Sequence, residues 1–268
     1  SQARENRGLL YLEEGNYAAA LDDFESCSSA SASAQVFSTL YAMGETEKIY
    51  DRFESRLEFD RENLAVAAFS SFFSHVQKKE SAHTFCNNPL DFLHHSNVSH
   101  HISDSDQFFS ELVKEIEGLN NVWEPSGKTT RGGFQSESNI NVLRLKSPRI
   151  RKLREIVQSE ISDYRRRFKG ETCDFIQNWP NRADLYGWSV TLEEQGYQDV
   201  HIHPGGWLSG VIYLKVVPPL SRREGAIEFT LNGKHYDHPA SLSLIHQPSV
   251  GDIVLFPSSL HHRTIPFT

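Results

Sequence analysis

Two histidines one residue apart, His201-Ile202-His203, are the pattern in this sequence with the clearest chemical potential. The segment DVHIHP has strand-forming content, and on a strand residues i and i+2 share a face. Both imidazoles then point the same way, with their backbones about 7 Å apart by the strand rise. That separation suits two ligands of one metal. Asp199 falls on the same face, one alternation earlier. Further along, GDIVLFPSSLHHRTIPF carries His261 and His262. Strands rolled into a barrel would bring this stretch beside the first. Three nitrogens would then lie on one side of a metal, with positions left for substrate and oxygen, as in the facial sites of non-haem Fe(II).

The elements that must position these groups are short strands. From residue 185 onward LYGWSVTLEE, DVHIHP, LSGVIYLKVV, GAIEFTLN, ASLSLIHQ and DIVLFP alternate with Gly, Pro and Asn breaks, which predicts an antiparallel sandwich or jelly roll. Residues 81–180 read as a helical lead-in. An amphipathic helix is predicted near 105–118, capped by Ser103 or Asp104, and a second runs through Ile150, Leu153, Ile156, Val157, Ile161 and Tyr164, with Pro148 at its first turn and Gly170 after its last. Between them, NNVWEPSGKTTRGGFQS reads as a loop. His94-His95 and His100-His101 are adjacent pairs; neighbours point different ways, so each pair offers at most one ligand, and both read as solvated loop histidines. Residues 1–80 show apolar positions at helical spacing. The fold class is therefore α+β: a helical region over 1–80, then a second domain over 81–268 whose strand core spans 181–268.

Composition narrows the function. Lys and Arg number 27 against 35 Asp and Glu, a formal charge of −8, the wrong sign for a general nucleic-acid binder. No stretch reaches the roughly 18 apolar residues of a membrane span, and the first residues lack a signal-peptide layout. Cys27, Cys86 and Cys173 are odd in number, widely spaced and form no CxxC, so a reducing cytoplasm is expected. The chain starts without Met, as a fragment or a processed product would.

Two resemblances sharpen this reading. GLLYLEEGNYAAALDDFESC resembles a tetratricopeptide repeat, with Gly8, Tyr11, Ala20, Phe24 and Cys27 at the family's offsets and Gly15-Asn16-Tyr17 at the turn. MGETEKIYDRFESRLEFD is a partial second copy, although the usual Trp and closing Pro are missing. HIHPGGWLSGVIYLKV, GAIEF and GDIVLFPSSLHHRTIPF, with WEPSGKTTRGGFQS upstream, resemble the 2-oxoglutarate- and Fe(II)-dependent oxygenases, in particular a bacterial subgroup reading HxHPxxWLSGVYYL and FPSxLxHRTxPF. The resemblance covers about residues 120–268 and implies a double-stranded β-helix, the jelly roll of that family. It places His201 at the first iron ligand and His262 at the distal one. His203 stands where many members carry Asp or Glu: either a third imidazole replaces the carboxylate, or the iron has two protein ligands. The resemblance implies that Tyr213, and Lys215 on the same strand face, hold the distal carboxylate of 2-oxoglutarate. The family's usual anchor, an Arg about ten residues past the distal His, is not in this sequence, which stops at Thr268, six residues past His262. The chain is then truncated, or Tyr213 and Lys215 serve, or 2-oxoglutarate is not used.

The expected function is thus a hydroxylase that couples 2-oxoglutarate decarboxylation to oxidation of a peptide or protein side chain, or of a small metabolite, with the helical repeats available to a protein partner. The alternatives are a cupin-type metal dioxygenase without 2-oxoglutarate, since Gly251, Pro257 and His262 resemble the second cupin motif, and a degenerate oxygenase serving as a tetratricopeptide binding module. Trp188 and Trp207 read as wall or core, Glu228 as a solvated strand-face carboxylate, and His235, His238 and His246 as surface residues.

Overall fold

The computed structural model describes residues 1–268. Five helices come first: α1 (Gln2–Glu13), α2 (Tyr17–Glu25), α3 (Ala30–Ala42), α4 (Thr46–Asp60) and α5 (Leu64–Gln77). α1 packs on α2, α2 on α3, and α3 on both α4 and α5. The first and third connections turn at Gly15 and Gly44, whose φ values of +76° and +75° lie in the left-handed region that glycine enters at no steric cost. Gly8 lets α1 close on α2; a Cβ there would meet the Phe24 ring at 2.8 Å. Side chains of Asn16, Ser29 and Asn63 accept amide hydrogens at the starts of α2, α3 and α5.

The remainder mixes helices with nine short strands: β1 (His94–Asn97), α6 (Ser105–Glu117), β2 (Asn121–Trp123), β3 (Thr130–Ser136), α7 (Pro148–Phe168), α8 (Asp174–Gln177), β4 (Val190–Gln198), β5 (Leu208–Ile212), β6 (Ile227–Thr230), β7 (Ser243–His246), β8 (Asp252–Pro257) and β9 (His261–Thr264). Asp104 caps α6 and Ser147 caps α7, with Pro148 at its first position. Three sequence expectations change. NNVWEPSGKTTRGGFQS is not a loop: β2 and β3 flank its turn, and β3 also pairs with β4 through a bulge between Arg131 and Gly133. Its glycines hide the two-residue period, and Gly132, at φ +56°, makes the irregularity. His94 lies on β1, paired with Leu255 of β8, and not in a loop. His201-Ile202-His203 is not a regular strand: β4 ends at Gln198, and His201 makes a single bridge.

All strand pairs are antiparallel, in three sheets ordered β2-β3-β4, β1-β8-β5 and β7-β6-β9. His201 extends the last by bridging His262. Phe229 of β6 and Phe256 of β8 meet between the second and third sheets with ring centroids 4.9 Å apart, both fully buried. The helices share this core, since Phe69 and Phe72 of α5 pack on Tyr236 at 5.0 and 4.8 Å. Burying such aromatic area is the main source of stability at this seam. No helix is long and apolar enough to cross a membrane.

Candidate metal centre

His201 and His262 are locked together by their own backbones. The His201 amide donates to the His262 carbonyl at 3.1 Å, and the His262 amide returns the bond at 3.0 Å. Such a doubly bonded pair fixes both Cα positions. The His203 amide donates to the Ser258 carbonyl at 3.0 Å, which returns the chain to the same edge after β8. The three rings converge: centroids are 4.3 Å apart for His201 and His262, 4.9 Å for His201 and His203, and 5.0 Å for His203 and His262. One nitrogen from each lies within 4.8 Å of the others.

The tautomers are set by backbone carbonyls. His201 Nδ1 contacts the Asp199 carbonyl at 2.7 Å, and His262 Nδ1 the Leu260 carbonyl at 3.1 Å. A carbonyl only accepts, so each Nδ1 carries the proton and each Nε2 keeps a free lone pair. Burial reinforces this by disfavouring imidazolium. His203 is pushed down to about 4 by burial and by its His201 neighbour; His201 is lowered by burial, and His262 falls well below the usual range. Three neutral imidazoles are the protonation state that metal binding requires. Aromatic rings flank the site: Phe256 meets the His262 ring at 4.7 Å, and Trp188 meets His203 edge-on at 5.4 Å. The donor set fits a divalent transition metal with open positions.

Asp199 adds no ligand, because its carboxylate pairs with Arg131 at 3.2 Å. His261 points the other way, against Tyr236. Glu228 bonds Arg263 at 2.6 Å. Tyr213 lies four residues past Ser209, about 13 Å along the strand direction, with burial raising its phenol pKa. The face shared by Tyr213 and Lys215 is not realised. β5 ends at Ile212, alternation lapses, and the Lys215 ammonium, 72% exposed, pairs with Glu117 of α6 at 3.4 Å. His246 is not a free surface residue but bonds Asp252 at 3.1 Å. The ring-orienting carbonyls of Asp199 and Leu260, and the Ser258 carbonyl that holds the His203 backbone, escaped the sequence reading, because a carbonyl has no residue-type signature.

No curated protein matches the chain. Residues 186–268, which contain all three converging histidines, match the family described as "Putative 2OG-Fe(II) oxygenase". That match supports an oxygenase domain here, and the family it names implies Fe(II) as metal and 2-oxoglutarate as co-substrate.

Proposed function

We propose that the chain is an Fe(II)- and 2-oxoglutarate-dependent hydroxylase acting on a peptide or protein side chain or on a small metabolite. The observation that carries this reading is the convergence of His201, His203 and His262 with two Nδ1 atoms committed to carbonyls. In this reading Nε2 of His201 and His262 and one ring nitrogen of His203 would hold the iron, which when bound supplies the activation of O₂. Phe229 and Phe256 exclude water on the buried side, and Trp188 forms a wall open to solvent. The Tyr213 hydroxyl binds the distal carboxylate of 2-oxoglutarate; Lys215, drawn toward Glu117, is the weaker anchor. The paired strand sets with Phe229 and Phe256 between them support a jelly roll, and the matching turns at Gly15 and Gly44 support tetratricopeptide-like hairpins able to receive a peptide. The division at residue 80 and a cytoplasmic location belong to the same reading, the latter resting on three unpaired cysteines.

The test is an anaerobic titration. Adding 2-oxoglutarate to the Fe(II)-loaded chain is expected to produce a visible charge-transfer band, and air to yield succinate. His201→Ala and His262→Ala should each abolish the band with circular dichroism unchanged. No band in the unaltered chain, or a band that survives both variants, would overturn the assignment. Tyr213→Phe should raise the half-saturating 2-oxoglutarate concentration more than Lys215→Ala does.

A further inference from the structure

A second group of metal-type donors surrounds Glu160, away from the three histidines above. Glu160 sits on the buried side of α7, with 2% of its surface exposed. Its carboxylate faces His101 Nε2 at 2.8 Å and His100 Nε2 at 3.4 Å, both through Oε1, and His94 Nε2 at 3.9 Å through Oε2. One donor atom each from His100, His101 and Glu160 lies within 4.8 Å of the others. Both rings of the adjacent pair His100-His101 face one carboxylate. Val98–His101 is a tight 3₁₀ turn, and the rings of His100 and His101 are tilted by 37° with centroids 4.0 Å apart.

A buried carboxylate needs a compensating charge. No Lys or Arg lies within ion-pair distance of Glu160; only the three imidazoles do. Asp163 and Arg167 act on the neighbouring His94, and burial holds that ring neutral. Within the cluster the His101 Nε2–Glu160 Oε1 contact of 2.8 Å is a hydrogen bond that a metal ion would replace. His100 Nδ1 donates to the Asn97 carbonyl, which turns its Nε2 toward the carboxylate and leaves that nitrogen as the one available to a metal ion. Two imidazoles and one carboxylate suit a borderline divalent ion of the Zn²⁺ type, with water completing the shell, and suit hard Mg²⁺ or Ca²⁺ poorly.

We propose that His100, His101 and Glu160 bind a second divalent metal ion of the Zn²⁺ class, with His94 beside the free carboxylate oxygen. The ion ties the turn after β1 to α7. Because β1 pairs with β8, it anchors the helix to the strand that carries Phe256.

The experiment uses the full chain carrying His201→Ala and His262→Ala, dialysed against Zn²⁺ and analysed for bound metal. One equivalent is expected to remain, with an X-ray absorption shell of nitrogen and oxygen only. Adding His100→Ala, at a ring more than half exposed and therefore safe for folding, should weaken retention at least tenfold. Adding Glu160→Gln should remove it. No retained zinc, sulfur in the shell, or zinc affinity indifferent to His100→Ala would overturn the proposal. If the Gln variant does not fold, His100→Ala decides.

Discussion

Replacing Phe256 with Ala tests whether core packing sets the geometry of the metal donors. Phe256 is 1% exposed and touches both Phe229 and the His262 ring. Removing a buried phenyl costs about 3–5 kcal/mol in transfer and cavity terms, which for a chain of this size lowers Tm by roughly 6–20 °C. The second effect is local. His262 keeps its bond to the Leu260 carbonyl but loses a wall, and the ring regains rotamer freedom worth about 0.5–1 kcal/mol. Fe(II) affinity, followed through the 2-oxoglutarate-dependent band, should then weaken ~2–5-fold. The control is Phe37→Ala. Phe37 is equally buried and stacks on Phe53 at 4.5 Å in the helical region, touching none of the donors. It should cost similar stability and leave Fe(II) affinity unchanged. Equal affinities in the two variants would refute the argument that this ring holds the donor in place.

Other outcomes follow from groups already placed. Arg7 grips the buried Asp23 carboxylate through two bonds of 2.6 and 2.7 Å and holds its pKa below the usual range. The folded pKa lies below the unfolded one, so this stability is present above the unfolded carboxylate range and is lost as pH falls through the folded value. Asp23→Asn should therefore lower the urea midpoint at neutral pH, and the gap should close in acid; a pH-independent gap would contradict this. The Cys173 thiol, lowered to about 7 chiefly by a hydrogen bond from Cys86, should react with iodoacetamide to half its maximal rate near neutrality, with Cys86→Ala moving that midpoint upward. His203→Asp should destabilise the metal-free chain, since it buries a carboxylate beside Trp188, yet retain Fe(II) and raise the thermal shift that Fe(II) gives. An Fe(II) affinity and thermal shift identical to those of the unaltered chain would place residue 203 outside the coordination shell.

The parts of this molecule legible in its sequence are those governed by local periodicity or residue type. Pro148 and the 3.6-residue apolar spacing marked α7 nearly to its ends, and the His-x-His spacing with His262 marked the three donors that converge. What stayed hidden depends on where the backbone turns. The glycines of β3 broke the alternation that would have shown a strand, and the end of β5 at Ile212 turned Lys215 outward. Glu160 lies far from His100 and His101 in the chain, on a different element, so nothing in the sequence connects them; only the packing of α7 against the turn after β1 does.

The mutual backbone bonds of His201 and His262 have an architectural consequence. The long excursion of chain between these residues leaves and returns through one clasped point, and much of it, including Val217, Leu220 and Leu242, runs over the surface. Lengthening a surface loop costs closure entropy only logarithmically, and the clasp keeps that change from reaching the imidazoles. Length changes in these exposed stretches therefore leave His201 and His262 in register.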